Sequence, residues 1–282
     1  MTEIISLGGF NELVKAKYGW MIYNKNDTHI GASIREYGEW SPGEIEIIKQ
    51  LLKPNDVVIE LGSNIGSHTL PIAKIVTEGL VYAFEPQNLI FQNLCANIAI
   101  NSLTNCICEK IALSDSIKNK LYAVSLDFTA PHNFGAYSLE DSKSNFNNLV
   151  SIETLDNKFY DLQNLKLLKM DIEGMELHAL KGGKNLIERT QPFLYLENDR
   201  KGENSRKLIE YIWSLNYKLY WHITRMFKED NFFKNSKNIF GYQGSFNMLG
   251  IPQKINFDVE LPLTNLILIE DSGYHPYWSH NG

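Results

Sequence analysis

The sequence contains few cysteines and no long hydrophobic run. Its three cysteines, Cys95, Cys106 and Cys108, form neither an even set nor a Cys-x-x-Cys pair, so no disulfide framework is expected. Cys106 and Cys108 stand two apart in a predicted strand and therefore share one face, as small core residues. This cysteine usage favours a reduced, cytoplasmic environment. No apolar run approaches membrane-spanning length and the N-terminus lacks the basic region of a signal peptide, so no membrane insertion is expected.

Positive charge is also scarce. The chain has 27 Lys and Arg against 33 Asp and Glu, a net charge of −6, and no stretch combines basic residues with aromatics. Nucleic-acid-binding proteins carry a basic face, so no nucleic-acid partner is expected. With 44% hydrophobic and 21% charged residues, the 282-residue chain is typical of a globular protein large enough to bury a core. Its oligomeric state stays open, a homo-oligomer included.

The most informative segment is a predicted strand at 56–61, followed by the turn Gly62-Ser-Asn-Ile-Gly66 and a predicted helix at 66–76. Glycines in such a strand–turn–helix unit let the backbone approach a ligand where side chains would block it. A second apolar run, 80–85, ends in Glu85. An acid at that place in an α/β fold accepts the ribose hydroxyls of a nucleoside. Together the two features predict an adenosine-containing cofactor.

The residues of the turn distinguish between cofactors. A nicotinamide-dinucleotide site needs G-x-G-x-x-G, but Asn64 stands where the middle glycine clears space for the pyrophosphate. The sequence has no P-loop of the form G-x-x-x-x-G-K-S/T. Glu60, just before the turn, repels phosphate and suits a sulfonium or ammonium cation. S-adenosylmethionine is therefore favoured over NAD, with an ordinary βα turn held by structural glycines as the alternative.

Strands and helices alternate through the middle of the chain, from 54 to 251. The alternation predicts right-handed βαβ crossovers, and hence an α/β, Rossmann-like, mostly parallel sheet with helices on both faces. Polar segments at 116–150 and 226–244 interrupt it, and the first is predicted to lie over the cofactor edge. The predicted strands are 56–61, 80–85, 105–113, 165–170, 193–196, 217–223 and 245–250, and the helices are 66–76, 87–100, 174–188 and 204–215.

Two flanking regions complete the chain: an N-terminal extension or cap (1–53) and a C-terminal tail (252–282) expected to pack on the α/β domain. In the extension, 18–23 has the pattern of a strand. The run Ser41-Pro-Gly-Glu44 predicts a helix at 42–52, with Ser41 as its cap and Glu44 closing a capping box.

Acidic residues end several predicted strands, at Glu60, Glu85, Asp171 and Glu197. Ligands bind at the carboxyl ends of strands in an open parallel sheet, so these acids should converge on one edge. Their repulsion is costly unless a cation lies there, and S-adenosylmethionine brings a sulfonium and an ammonium. Asp171, at a strand tip, is the candidate that orients or deprotonates an acceptor hydroxyl. An alternative is an oxygen-rich Mg²⁺ site formed by Asp171, Glu197 and Asn198.

Four other polar residues have weaker signals. Glu173 follows Asp171 closely and is either a second catalytic acid or a favourable charge at a helix N-terminus. His68 lies in the first turn after the glycines and is placed at the cofactor. His132 in the first insertion and His222 on a late strand are candidates to face the acceptor, although neither has a diagnostic spacing.

These motifs together resemble the FkbM-type S-adenosylmethionine-dependent methyltransferases, over about residues 54–250. The Lys-Met-Asp-Ile-Glu-Gly run is the most specific match, and Glu60 stands where many relatives carry Asp. The matching segments are Glu60-Leu-Gly-Ser-Asn-Ile-Gly66, Tyr82-Ala-Phe-Glu-Pro86 with Asn93 and Asn97, Ala112-Leu-Ser-Asp115, Asn133-Phe-Gly-Ala-Tyr-Ser-Leu139, Thr154-Leu-Asp156, Leu168-Lys-Met-Asp-Ile-Glu-Gly-Met-Glu176, Ala179-Leu-Lys-Gly-Gly183 and the strand that ends at Glu197.

The resemblance implies a seven-stranded sheet with a reversed last hairpin and the O-methylation of a hydroxyl, on a sugar, polysaccharide, glycolipid or glycosylated natural product. It implies that Glu60, Gly62 and Gly66 bind the methionine end, that Glu85 binds the ribose, and that Ala112 and Leu113 flank the adenine.

The alternatives are a nicotinamide-dependent sugar oxidoreductase and a non-catalytic nucleoside-binding module. The full candidate set is Glu60, Gly62, Ser63, Asn64, Gly66, His68, Thr69, Glu85, Pro86, Ala112, Leu113 and Asp171 for the cofactor, His132, Asn133, Gly135, Glu197 and His222 for the acceptor, and Asp171 and Glu173 for catalysis.

Overall fold

The computed structural model describes residues 3–117, 121–122, 126–136, 149–199, 202–255 and 266–276. These residues form a large central sheet flanked by helices, a small N-terminal sheet and a second small sheet. In chain order the elements are β1 (Ile4–Ser6), β2 (Asn11–Ala16), β3 (Gly19–Asn24), α1 (Ile30–Tyr37), α2 (Pro42–Leu51), β4 (Val57–Leu61), α3 (Thr69–Ile75), β5 (Leu80–Phe84), α4 (Asn88–Ile100), β6 (Cys106–Glu109), β7 (Ile111–Leu113), β8 (Leu121–Tyr122), β9 (Leu149–Glu153), α5 (Leu155–Lys158), β10 (Leu165–Met170), α6 (Glu176–Gly182), α7 (Lys184–Thr190), β11 (Phe193–Glu197), α8 (Glu203–Ser214), β12 (Tyr217–Arg225), β13 (Gly244–Pro252) and β14 (Leu266–Leu268).

The central sheet has the strand order β14-β12-β13-β11-β10-β4-β5-β6. Strands β11, β10, β4, β5 and β6 pair in parallel, and β13 runs antiparallel to both of its neighbours. The α/β class, the mostly parallel sheet and the reversed last hairpin are therefore confirmed. The strand count was wrong, because the described residues give eight strands and not seven. The eighth, β14, lies within the predicted tail and pairs with the edge of β12, and its three residues are too few to give a periodic pattern.

The middle of the sheet is covered on both faces. All five residues of β4 are buried, with Ile59 and Leu61 packed in one hydrophobic cluster and Val58 in another on the opposite face. Strands of a parallel sheet that is buried on both sides are nearly continuous hydrophobic runs, as 56–61 and 165–170 are. The carboxyl ends of β4, β5, β10 and β11 consequently meet at one edge.

Several predicted element boundaries differ from the structure. The predicted strand 105–113 is divided at Lys110 into β6 of the central sheet and β7, which pairs with β9. The predicted helix 174–188 is two helices with Gly183 between them. A side chain at the neighbouring Gly182 would lie 1.9 Å from the carbonyl oxygen of Ser114, so the chain passes close to β7 there.

The helix at 42–52 is confirmed as α2, but its capping box was wrong. Ser41 has a left-handed backbone (φ 38°), and its hydroxyl accepts no backbone amide of the helix. Instead, that hydroxyl donates to the Glu44 carboxylate over 2.6 Å. The helix that was predicted to begin at residue 66 begins three residues later, as α3 at Thr69, because residues 66–68 form a turn.

The N-terminal extension is more structured than its sequence suggests. The predicted strand 18–23 is β3, but β1, β2 and α1 were not predicted. Asn97 on α4 and Asn101, which caps its C-terminus, hold β3 in place. Asn97 bonds the amide and carbonyl of Ile22 at 2.6 and 2.9 Å, and Asn101 bonds those of Trp20 at 2.9 and 2.7 Å. Each asparagine side chain thus bonds a backbone amide and a backbone carbonyl of β3 that a neighbouring strand would otherwise bond.

Three smaller expectations can also be compared with the fold. Cys106 and Cys108 pack against the same hydrophobic cluster, as expected from their spacing. None of the helices in the described ranges is long and apolar enough to cross a bilayer. The insertion 116–150 lies partly outside the described residues, and the three-region division of the chain stays a prediction.

Candidate active site

Two adjoining cavities open at the carboxyl ends of β4, β5 and β10. The first, about 600 Å³ including its opening to solvent, is lined mainly by apolar side chains from β5, β7 and the loop after β10. The second, about 780 Å³ including its opening to solvent, is lined mainly by polar and acidic side chains. Both are lined by Gly62, Asn64, Glu85, Gly135, Asp171 and Glu173.

The glycine turn after β4 brings three strand ends together. Gly62 has φ +78°, and a Cβ built there would lie 1.8 Å from the carbonyl oxygen of Asp171. Its amide and that of Ser63 both donate to the carbonyl of Phe84, at 2.9 and 3.0 Å. Only glycine fits this approach of β4 to β10, since any side chain would collide with backbone. Gly66 (φ +87°) closes the turn by donating to Ser63 over 2.8 Å.

Glu85 follows β5 directly and lines both cavities. One carboxylate oxygen accepts from the backbone amide of Asn64 at 3.0 Å and the other from that of Gln87 at 2.8 Å. Burial raises the pKa of Glu85 to about 7, although the two amide bonds act to lower it. The carboxylate is therefore fixed in place and keeps lone pairs for a hydroxyl-bearing ligand.

We call the apolar cavity, which Glu85 also lines, the apolar slot. Ala112 and Leu113 of β7 and Pro86 form part of its wall. Its remaining apolar lining residues are Leu61, Phe84, Ile90, Ile111, Phe134, Ile172 and Met175.

Three carboxylates cluster where the cavities meet. One carboxylate oxygen from each of Asp171, Glu173 and Glu197 lies within 4.8 Å of the others. Burial, together with the negative charge of Asp171 and Glu173, raises the pKa of Glu197 well above its usual range. Asn198 lines neither cavity, and its side-chain nitrogen donates to the hydroxyl of Ser205 over 2.9 Å. The three carboxylates together fit a cation. The alternative Mg²⁺ site with Asn198 stays a prediction.

Glu176 holds the loop that carries Asp171 and Glu173. One of its carboxylate oxygens accepts from the amide of Ile172 at 3.0 Å and from that of Gly174 at 3.4 Å. Glu173 (φ 56°) and Gly174 (φ 96°) are both left-handed, and non-glycine residues rarely adopt that conformation. Burial raises the pKa of Glu176 to about 7. Glu176 thus shapes the loop and does not face either cavity.

A buried ion pair lies on the wall of the polar cavity. Glu60 accepts from the hydroxyl of Thr69 at 2.6 Å, and its other carboxylate oxygen is 3.5 Å from the ammonium of Lys169. Burial acts to lower the pKa of Lys169, but the carboxylates of Glu60, Asp171 and Glu44 outweigh it and raise that pKa. Lys169 is therefore a charged ammonium among acids.

The remaining candidates divide between the cavities and the core. Ser63, His68, Asn133 and Gly135 line the polar cavity. Burial, and then the charge of Lys169, lowers the pKa of His68 well below its usual value, so its imidazole is neutral. The part of the segment Asn133–Leu139 beyond residue 136 lies outside the described residues.

Two histidines lie elsewhere. His222 is buried on β12, where its ring bonds the hydroxyl of Tyr195 at 2.8 Å, and it lines neither of the two cavities. Burial lowers the pKa of His222 to about 4. His132 pairs with Asp27 through a backbone bridge and joins the insertion to the N-terminal extension, again outside the lining of both cavities.

A model of the methyltransferase FkbM domain family matches residues 60–219, more than half of the chain. The chain belongs to this family. Among curated proteins, methyltransferase sdnD of Sordaria araneosa is 27% identical over 159 residues, which cover 46% of this chain and 61% of that protein. The tRNA(Phe) (4-demethylwyosine(37)-C(7)) aminocarboxypropyltransferase of Methanocaldococcus jannaschii is 39% identical over 71 residues, 24% of this chain and 28% of that one.

Among solved structures, methyltransferase FkbM from Methylobacillus flagellatus KT aligns with a TM-score of 0.48 at 16% identity, and covers 71% of this chain and 44% of that chain. The present chain spans less than two thirds of the length of each of these relatives.

Residues on either side of the FkbM match complete the polar cavity, and sequence reasoning did not find them. They come from α1 and the residue before it, from α2 and the segment between these helices, and from β13 and the loop before it. None belongs to a ligand-binding motif in the sequence, because these residues come together only when the extension packs across the sheet edge. They are His29, Ile30, Trp40, Glu44, Met226, Ser245 and Asn247.

Proposed function

We propose that this protein is an S-adenosylmethionine-dependent O-methyltransferase that acts on a hydroxyl of a sugar, in a polysaccharide, a glycolipid or a glycosylated natural product. The observation that carries the proposal is the junction of the two cavities at Glu85 and Asp171. An apolar slot that ends at a fixed carboxylate suits adenosine, and the acidic junction suits a cation. The FkbM family match agrees with this assignment.

The residues around the slot fit each part of this cofactor. Ala112 and Leu113 would flank the adenine, and Glu85 would accept both ribose hydroxyls. The methionine end would follow the turn from Gly62 to Gly66, where the backbone leaves room. The sulfonium would lie near Asp171, Glu173 and Glu197, whose mutual repulsion it relieves.

For methyl transfer the protein needs only to orient the acceptor hydroxyl and to take up its proton. When bound, the cofactor supplies an electrophilic methyl group on a positive sulfur. Asp171, at the junction, would hold the acceptor hydroxyl in line with that methyl and take its proton as the oxygen attacks. Glu173 and Glu197 would balance the positive charge. No step requires a metal ion, and the cofactor takes the place of Mg²⁺ in the acidic cluster.

The second cavity supports a polyhydroxylated acceptor. Its wall combines acids and amides, which bond hydroxyl groups, with the partly exposed ring of Trp40. An indole face packs well against the C–H face of a sugar ring. The ring of Trp40 is itself fixed edge-on against Phe240, with centroids 6.3 Å apart. A sugar is therefore favoured over a flat aromatic acceptor.

Isothermal titration with S-adenosylhomocysteine, followed by a radiolabelled methyl-transfer screen over glycans, tests the proposal. Binding plus label in a glycan, blocked by methylation of the acceptor hydroxyl, is the expected result. Binding of NADH but not of S-adenosylhomocysteine would support the oxidoreductase alternative, and binding without transfer would support the non-catalytic module. Because one relative is named for a tRNA modification, the screen includes tRNA. 5′-Methylthioadenosine as by-product would indicate aminocarboxypropyl transfer instead of methyl transfer.

A further inference from the structure

One end of the polar cavity is formed by Glu44, Ser245 and Asn247, which we call the far wall. Glu44 belongs to α2, and the other two lie two residues apart on β13, so their side chains leave the same face of that strand. Helix α2 begins over the paired ends of β12 and β13. A Cβ built at Gly43 would lie 2.8 Å from the side chain of Thr224, which pairs with Ser245.

The far wall lies well away from the places assigned to the cofactor. In the central sheet β11 and β10 separate β13 from β4, whose glycine turn would hold the methionine end, and β5 lies one strand further. A strand spacing of about 4.8 Å puts roughly 14 Å between β13 and β4. None of the three residues lines the apolar slot. The charged groups of the methionine end are therefore not the partners of the far wall.

Glu44 is a buried carboxylate without a cation beside it. It is 4% exposed, and its hydrogen-bonding neighbours are two hydroxyls, that of Ser41 at 2.6 Å and that of Ser245. Among the residues that the structure describes, no lysine, arginine or histidine lies at ion-pair distance from it. Burial raises the pKa of Glu44, and the positive charge of Lys169 offsets only part of that rise. A buried carboxylate is costly unless a positive group neutralises it.

Asn247 gives a second, independent sign of a ligand. It is 4% exposed, and within the described ranges its side-chain nitrogen donates to no acceptor. The hydroxyl of Tyr195 is near that nitrogen but is bonded to His222 at 2.8 Å. A buried N–H group without an acceptor is costly, so an oxygen of a ligand is expected against Asn247.

The charge of the polar cavity selects the kind of ligand that fits. Six acidic residues line it, and Lys169 is the only lysine or arginine among its described lining residues. The cofactor brings a sulfonium and an ammonium against a carboxylate, so acids remain in excess. They remain so even when Glu85 and Glu197, whose pKa values burial raises, bind protons. A carboxylate or phosphate of the acceptor would be repelled here, and an ammonium would be attracted.

We propose that the acceptor is an amino sugar whose ammonium group pairs with Glu44 while a neighbouring hydroxyl accepts from Asn247. The inference rests on the proposed function and names the class of sugar. A neutral sugar would bond Asn247 but leave the charge of Glu44 unbalanced, and a uronic acid would add a negative charge beside it. Asp171 follows β10, two strands from β13, so the methylated hydroxyl and the ammonium would lie on opposite sides of the sugar.

Saturation-transfer NMR titrations at pH 7 test the proposal with probes that share one ring and differ in charge. The probes are methyl glucoside, methyl glucuronide and the methyl aminodeoxyglucosides with the amino group at each position in turn, with and without S-adenosylhomocysteine. Glu44→Gln removes the charge at the same size. Glu46→Gln is the matched control, because Glu46 is exposed on the same helix, pairs with Lys228 at 2.6 Å and lines neither cavity. Thermal melting shows which variants fold.

We expect the wild type and E46Q to bind one amino probe at least about tenfold more tightly than the neutral glucoside, with the glucuronide weakest. E44Q should bind the two within about threefold of each other. Equal binding of amino and neutral probes by the wild type, a preference retained by folded E44Q, or no probe bound by the wild type would overturn the assignment. The wild-type series decides the charge of the acceptor even if E44Q does not fold.

Asn247→Ala tests the hydroxyl contact separately. It should weaken the amino probe and the glucoside by the same factor, because both would lose the same neutral hydrogen bond. Unchanged binding of both probes by folded N247A would overturn the role of Asn247.

A cofactor titration separates this inference from the proposed function. E44Q should bind S-adenosylhomocysteine within about threefold of the wild type, and a loss beyond about tenfold would place Glu44 at the cofactor and refute the acceptor role. A wild type that binds no S-adenosylhomocysteine would refute the proposed function, whereas the probe titrations without cofactor would still decide the role of Glu44.

Discussion

The carboxylate of Glu85 and the backbone amide of Asn64 are joined by a hydrogen bond of 3.0 Å. This bond ties the end of β5 to the glycine turn after β4, and a second, from Gln87 at 2.8 Å, fixes the other carboxylate oxygen. The acid that we assign to the ribose is therefore oriented by backbone alone. A binding group oriented before the ligand arrives loses less entropy on binding.

The stability of the ligand-free protein should depend on pH through Glu85 and Glu176. Both have a pKa of about 7, above the ordinary 4.5, because they are buried. Between about pH 4.5 and pH 7 the folded state therefore binds more protons than the unfolded state. The stability that this proton binding contributes is fully present below about pH 4.5 and is lost as the pH rises through 7.

The loss should be on the order of 1–3 kcal/mol of unfolding free energy per group. Urea denaturation at intervals from pH 5 to 8 measures it. Glu85→Gln and Glu176→Gln should each flatten the profile, and an equally steep profile in both variants would contradict the assignment.

Gly62→Ala should destabilise the protein by far more than the cost of placing an alanine at positive φ. The new Cβ would lie 1.8 Å from the carbonyl oxygen of Asp171, so β4 and β10 would have to separate. Gly241→Ala is the matched control, since Gly241 also has positive φ (+60°) but nothing within 4 Å of the new atom. We expect about 1 kcal/mol for the control and at least about 3 kcal/mol for Gly62→Ala by urea denaturation. Equal losses would show that the approach of the two strands is not constrained.

Asp171→Asn should separate catalysis from cofactor binding. The amide keeps the size and can still contact a hydroxyl, but it cannot take the proton. The turnover number should fall about 10²- to 10⁴-fold while the affinity for S-adenosylhomocysteine changes little. Asp161→Asn, at an exposed position away from the cavities, is the control and should match the wild type. Full turnover by Asp171→Asn would remove its assigned role.

Trp40→Ala should weaken the acceptor and spare the cofactor. Trp40 lines the polar cavity but not the apolar slot. Loss of its ring should raise the KM for the acceptor about 10-fold with little change in the affinity for S-adenosylhomocysteine. Trp20→Ala, in the N-terminal sheet and away from both cavities, should leave that KM within about twofold. If both variants behave alike, Trp40 has no special contact with the acceptor.

Much of the lining of the apolar cavity, which we propose binds the cofactor, could be predicted because its signals are local in sequence. The glycine turn, Glu85 and the Ala112–Leu113 pair each follow or form part of one strand, and parallel strands bring their carboxyl ends together by topology alone. The structure places all of these around one slot. The family resemblance then supplied the assignment of the parts.

Much of the lining of the polar cavity, which we propose binds the acceptor, could not be predicted, because it depends on how distant segments pack. Trp40 and Glu44 reach the cavity only because the extension lies across the sheet edge, and a sequence pattern does not give that placement. Lys169 belongs to the Lys-Met-Asp-Ile-Glu-Gly run, but the sequence did not show that its ammonium is buried among carboxylates. His222 looked like an acceptor contact because its strand was known but the direction of its side chain was not.

The most direct test of the central claim is a calorimetric titration of S-adenosylhomocysteine into the wild type, Glu85→Gln and Glu85→Ala at pH 8. The hydrogen bonds of the ribose to a carboxylate are worth about 1.5–3 kcal/mol. Glu85→Ala should therefore bind about 10- to 100-fold more weakly than the wild type, with Glu85→Gln in between. Equal affinity in all three folded proteins, or no heat with the wild type, would contradict the assignment of this cavity to an adenosine-containing methyl donor.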